Sequence, residues 1–386
     1  MLVPQRLTGL VVVACCFCGL IRSAASEAPQ GAQSLNATDL NNRGIMEAQA
    51  GRFKEGAALL RHALSLDPTD ALTRKNLSGV LTDWAAQLGQ QGKVDDAIAA
   101  LQEAVGHNPD NGLALVRLGD LFYLKRSDMA SAILYWQRAH GKISAVMWQA
   151  VANHITQAQR DQLIERGFTA RQTAHFDIRF EHSRTVDLEA LEHVLEGAYE
   201  HLAQQLGRTL PRVTVIVYTE QDLRRVYNQR DWALGLYDGR IRLRLDELTQ
   251  EYLEDMVTHE LAHAFLHYGY GDRLPIWVHE GYAQLQERAH ERNEEARRIE
   301  QGMTSRTLWI PLKWLDRHFE QPSGADDIVR AYVEARLVVD ELVKRYGMDH
   351  FLLFLEHIAQ GASVDVAYEE AFAPSRWSRA DQGVFE

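Results

Sequence analysis

Thr258-His259-Glu260-Leu261-Ala262-His263 sets two histidines four residues apart inside a longer run of helical periodicity. On an α-helix this spacing brings both imidazoles out of one face a turn apart, where they can close on a single metal ion. Neutral imidazoles suit Zn2+, and Glu260, about 100° round the helix from His259, can reach a water at that ion as general base. The apolar positions Leu253, Met256, Val257, Leu261, Ala264 and Phe265 predict a buried helix, with Glu251, Glu254 and Asp255 loading its first turns with acid. The plain alternative is an ordinary core helix with a fortuitous match, and the residues that follow weigh against it.

Outward from there, Gly269, Gly271 and Asp272 break the helix and Pro275 can open another, so a short loop turns the chain back on itself. The second helix carries Leu274-Pro275-Ile276-Trp277-Val278-His279-Glu280-Gly281-Tyr282-Ala283. Glu280 then faces the histidines, and two histidines, a glutamate and a water form an open catalytic zinc arrangement, whereas a fourth protein ligand would suggest a structural one. His279 competes for this place, but helix neighbours point about 100° apart, so only one of the two can face the ion. His267, a turn beyond His263, reads as a surface histidine or a support for the ligands.

These segments resemble the gluzincin-type peptidases of the MA-like superfamily, in which H-E-x-x-H is followed by a helix bearing W-x-x-E-G, here Trp277-Val278-His279-Glu280-Gly281. The likeness covers residues 176–373, and the sixteen residues between His263 and Glu280 are fewer than in the aminopeptidases of that group. It implies zinc on His259, His263 and Glu280, water activation by Glu260, and hydrolysis of a peptide or protein substrate. It also implies a donor to the transition state, commonly a tyrosine downstream of the ligand glutamate. Tyr332, near the start of an amphipathic helix over residues 328–346, takes that role, with Tyr282 and His279 as competitors and a plain core tyrosine as the alternative. One departure is visible: thermolysin-like relatives keep an aspartate after the ligand glutamate to brace a histidine, and the corresponding turn here offers Gln284.

At the other end, a weakly positive lead (residues 2–6), an apolar stretch (7–21) and Ser23-Ala24-Ala25 predict a secretory signal peptide over residues 1–25 and an exported protein, periplasmic or secreted. The apolar stretch is too short for a membrane span, so the mature chain is expected to have none. Cys15, Cys16 and Cys18 all fall inside it, which leaves the mature chain without a thiol. Val12-Val13-Ala14-Cys15 also resembles a lipobox that would anchor the protein by lipid on Cys15, and an uncut anchor is a third alternative. Ordinary cleavage is preferred because the apolar stretch runs well past Cys15. The 386 residues are 46% hydrophobic, enough for two cored domains, and a net charge of −12 argues against nucleic-acid or anionic-membrane partners.

Residues 39–140 repeat with a register of small and apolar positions: Gly44, Gly51, Gly56, Leu60, Ala63 and Pro68, then Leu77, Gly92, Ala97, Leu101, Ala104 and Pro109, then Leu118, Gly119, Phe122, Tyr123, Ala132, Trp136 and Ala139. This register resembles tetratricopeptide repeats, and residues 85–91 add about two turns to the first helix of the second unit. Residues 145–166 are expected to cap the stack with Met147, Val151, Ile155 and Leu163 inward. The resemblance implies a concave groove for a protein partner; a spacer that merely packs is the alternative.

After a linker at 167–174 the period changes. Residues 176–180 and 213–218 predict strands, 186–206 and 220–228 helices, and 239–245 a half-buried strand with arginines on its open face, as an exposed edge requires. Those arginines are expected to be solvated or, less plainly, to favour acidic substrates. In folds of the resembled family this strand is the one along which substrate lies. Residues 286–301 read as a solvated helical continuation, 311–315 as a helix start, 350–360 as a further helix, and 374–386 as an aperiodic tail. The expectation is a multidomain chain: a signal peptide (1–25), an all-α tetratricopeptide stack with its cap (38–166), an α+β zincin-like peptidase domain (170–373) and a tail. Two rivals are a non-catalytic scaffold with a structural or relic zinc site and a metallohydrolase that cuts something other than peptide.

Overall fold

The computed structural model describes residues 36–181, 187–219, 235–245, 250–287 and 310–372. The segment expected as a signal peptide, the helix expected at 220–228, most of the charged run 286–301 and the tail lie outside them. Among the described residues no helix is long and apolar enough to cross a membrane. The chain divides into two compact units, which among the described residues are 36–159 and 160–372.

The first unit is all helix: α1 (Ala37–Gln49), α2 (Phe53–Leu66), α3 (Ala71–Gln90), α4 (Val94–His107), α5 (Gly112–Arg126), α6 (Met129–Arg138) and most of α7 (Ala145–Glu165). The first six pack in consecutive pairs. Each pair starts from a side-chain cap: Asn36 accepts from the Asp39 amide, Asp70 from Leu72 and Asn111 from Ala114. The turns before the second and third pairs repeat one device, in which Asp67 accepts from the Thr69 amide at 3.0 Å and Asn108 from Asp110 at 3.2 Å around Pro68 and Pro109. The small residues of the register form the seam, with Ala63, Ala97, Ala104, Ala132 and Ala139 buried. The helix α3 has 20 residues against 13 in α1 and 15 in α5, so the insertion at 85–91 lengthens it as expected.

The expected inward face of α7 needs correction. Val151 and Ala158 are buried, but Leu163 is 81% exposed. The last turn of α7 belongs to the second unit, where the inward residues are Asp161 and Glu165.

The second unit is built on a mixed five-stranded sheet of order β1-β2-β3-β5-β4: β1 (Phe168–Gln172), β2 (Phe176–Glu181), β3 (Val213–Tyr218), β4 (Gly235–Tyr237) and β5 (Ile241–Arg244). The inner pairs β2/β3 and β3/β5 are parallel, and the outer strands β1 and β4 are antiparallel to their neighbours. The segment expected as a linker thus holds an edge strand, hidden from pattern reading because Phe168-Thr169-Ala170-Arg171-Gln172 is largely exposed and lacks apolar alternation.

A second correction concerns β5, which lies inside the sheet between β3 and β4 rather than at its edge. Arg240 and Arg242 are 0% and 1% exposed, so they meet neither solvent nor substrate. Arg240 donates to Asp161 at 2.8 Å and to Glu165 at 2.7 Å; Arg242 donates to Asp161 at 2.9 Å, to the Tyr218 hydroxyl at 2.7 Å and to Asp238 at 2.8 Å. Alternation shows that a strand has two different faces, but it does not show whether the polar face meets water or matched charge.

The opposite sheet face carries Phe176, Ile178, Val213, Val215, Ile241 and Leu243 into the main core. Against that core lie α8 (Leu188–Leu206), which connects β2 to β3, and α9 (Gln250–Tyr270). A 3-10 turn, Gly271–Arg273, leads to α10 (Ile276–Leu285), followed by α11 (Leu312–Glu320), α12 (Ala325–Tyr346), α13 (Met348–Gln360) and α14 (Val364–Phe372).

Candidate metal centre

The helix α9 is held through Val257, Leu261, Ala264 and Phe265, all closed to solvent, so its orientation is set by burial. With that face inward, His259 and His263 emerge together. The turn at Gly271–Arg273 brings α10 back, and the Trp277 amide, one of the helix's orphan donors, is satisfied by Asp316 of α11 at 2.9 Å. Trp277 is 1% exposed and pins α10 to the core. Gly281 explains the E-G pair: a Cβ there would stand 2.3 Å from the Ala335 carbonyl oxygen, so only glycine lets α12 lie this close to α10.

Three donors converge. The two Nε2 atoms are 3.1 Å apart, and Glu280 Oε2 is 3.7 Å from each. An ion bound tetrahedrally at about 2.0–2.1 Å from its ligands requires donor separations of about 3.3 Å, so the set fits zinc. His259, His263 and Glu280 form a metal-capable group among the described residues. His279 stays outside the set, with its ring centroid 5.9 Å from that of His263. His267 packs edge-on to Tyr237 of β4 at 5.9 Å.

Sequence reasoning missed Glu287. The helix α10 stops at Leu285 instead of continuing, and Glu287 turns back to hydrogen-bond His259 Nδ1. That bond leaves Nε2 free to face the ion, which is the bracing role for which the sequence offered only Gln284. The one local signal was a carboxylate two turns past Glu280, and it was hidden in a charge-dense run.

The electrostatics follow from a group of buried carboxylates. Burial alone would lower the His259 imidazole, but Glu287, Glu260 and Glu280 outweigh it and raise the pKa to about 10. Burial raises Glu260 to about 8, helped by Glu280, Glu287 and Asp238 and opposed by His259. Burial likewise raises Glu280 to about 7, again opposed by His259 and reinforced by Glu287. His263 is driven well below its ordinary value, first by burial and then by its histidine neighbours, and so is held neutral, the form in which it binds metal. Raised values at Glu260 and Glu280 beside a His259 imidazole that holds its proton mark a site that draws in positive charge, which a divalent cation could supply in place of those protons.

Tyr332 of α12 sits half-buried with its ring edge-on to Phe319 at 5.1 Å. Burial raises its hydroxyl well above the ordinary value, and the charges of Glu280, Glu260 and Glu287 add to this, so it stays protonated. Tyr282 does not compete: it is closed to solvent, stacks on Phe351 and donates its hydroxyl to Gln205.

The chain matches the tetratricopeptide repeat family over residues 82–144, from the later part of α3 through α6. The first unit therefore contains tetratricopeptide repeats, a class of helical stack that commonly mediates protein interactions. No curated protein matches the chain.

Proposed function

We propose that the protein is an exported, zinc-dependent peptidase of gluzincin type, with its site in the second unit and with the repeat stack of the first unit docking a protein partner or substrate. The observation that carries this reading is the convergence of His259, His263 and Glu280 together with a second buried acid, Glu260, which the ligand set does not need. A site with only a structural purpose has no use for that carboxylate.

When bound, zinc would polarise the scissile carbonyl and make a neighbouring water acidic. The remaining work falls to the chain's own residues. Glu260, ionised beside the charge of the divalent ion, would take the proton from the attacking water and deliver it to the leaving amine. Glu287 would hold His259 with Nε2 toward the ion. Tyr332, kept protonated, would donate to the oxygen on which negative charge develops.

The test combines metal analysis with digestion of a proteome-derived peptide library. Wild type and Glu260→Gln should each carry one zinc per chain, Glu280→Ala should lose it, and only wild type should cleave, with Glu260→Gln slowed roughly 10²- to 10⁴-fold. A Glu260→Gln variant that cleaves at the wild-type rate would refute the reading. The second reading, a repeat scaffold with a non-catalytic site, draws on the family match over residues 82–144 and expects zinc without cleavage in any variant.

A further inference from the structure

We infer that Gly235 is a positioning residue: the absence of a side chain on β4 sets the place of the Glu260 carboxylate. A Cβ at position 235 would lie 2.8 Å from both Glu260 Cγ and Glu260 Oε1, and 2.9 Å from Met256 Cγ. These separations are shorter than real Cβ contacts. The backbone gives no other reason for glycine, because Gly235 is an ordinary strand residue outside the positive-φ glycines. Glycine inside a strand weakens it and marks a close approach by another group. Here the approaching group is the acid expected to act as base.

β4 is an outer strand of the sheet, and its pairing with β5 resists a shift of the backbone. Gly235 pairs with Leu243 of β5, which is closed to solvent and fixed between β3 and β4. The neighbouring Arg242 is tied to Asp161, Tyr218 and Asp238 behind the sheet. Met256 and Glu260, one turn apart on α9, present long side chains to this point, and their ends can turn away. A methyl group at 235 would therefore displace the Glu260 side chain and leave His259, His263 and Glu280 where they are.

The catalytic consequence rests on the peptidase reading; the geometric claim does not, and the experiment separates them. In the full chain, metal-free Gly235→Ala, Glu260→Ala and the double variant are compared by urea midpoint. The substitution at 235 should lower the midpoint in the wild-type background and lower it less once Glu260 is truncated. If Gly235→Ala fails to fold, the double variant should fold. The same proteins loaded with cobalt are then titrated with acetohydroxamate, whose metal-bound form hydrogen-bonds to an acid beside the ion. Gly235→Ala should weaken acetohydroxamate binding at unchanged cobalt stoichiometry, with no further weakening in the Glu260→Ala background, and should slow turnover roughly 10- to 100-fold. Equal loss of midpoint with and without Glu260 overturns the inference, as does wild-type acetohydroxamate affinity in Gly235→Ala. A wild type that binds no metal or cleaves nothing removes the peptidase reading and leaves the metal-free cycle to decide the role of Gly235.

Discussion

Replacing Glu287 by Gln keeps the side-chain shape and an acceptor for His259 Nδ1 but removes the charge. The carboxylate hydrogen-bonds Nδ1, and a zinc ion on Nε2 at the far side of the ring would lie about 6 Å from it. At an effective dielectric constant of about 20, one unit charge at that separation is worth about 2.8 kcal/mol. The divalent ion carries two such units, but Glu287 already helps hold a proton on His259, raised to about 10, and that proton must leave when metal enters. The departing imidazolium charge lies nearer, about 4 Å from the carboxylate, and is worth about 4 kcal/mol against about 5.5 for the divalent ion, so the net effect is about 1.4 kcal/mol or roughly 10-fold in affinity, at the lower end of the ~10–100-fold usual for such supports. Competition against a chromophoric chelator at pH 7.5 measures it directly. Zinc affinity within threefold of wild type would show that Glu287 neither orients His259 nor senses the ion.

Two further outcomes follow from the same geometry and from the repeats. Tyr332→Phe should lower kcat with little change in KM or zinc content, as expected for an interaction made chiefly in the transition state; unchanged kcat would return Tyr332 to a core role. In the repeats, burial pushes Asp120 up to about 7, against the Trp136 indole and Arg117, which lower it. The folded value lies above the ordinary 3.8, so ionising this group costs stability: its contribution is greatest below about pH 4, falls as pH rises to about 7 and is level beyond. Asp120→Asn keeps an acceptor for Trp136 Nε1, 3.0 Å away, and should raise the urea midpoint at pH 8 but not at pH 4; an equal shift at both would refute the assignment.

Helical periodicity carries much of what the sequence reveals here. Two histidines a turn apart share a face in any helix, and Trp277 and Gly281 mark where α10 must be buried and closely approached, so the meeting of Glu280 with the histidines is legible from local rules. The repeats are legible because each unit carries its own copy of the small-residue seam. Glu287 escapes because it serves the site from a turn that ends a helix, and no periodic rule covers such a position. Gly235 escapes for a related reason, since what fills its missing side chain is 25 residues further along the chain.

The arginines of β5 show the limit most clearly. Arg240 and Arg242 have the alternation of a solvated face, and burying two guanidinium groups without partners would cost several kcal/mol each. Their partners, Asp161 and Glu165, lie one turn apart at the end of α7 and leave Leu163 on the outer side. One local sign of this was present. Carboxylates in the last turn of a helix oppose its macrodipole, and α7 has no basic residue there to offset them. Acids placed where the helix disfavours them can answer a demand elsewhere, and the alternating arginines Arg240, Arg242 and Arg244 are charges of the opposite sign. Matching those two anomalies would have placed the end of α7 against β5 and closed that strand's polar face. The match requires comparing segments some 80 residues apart, which a window of local periodicity does not do.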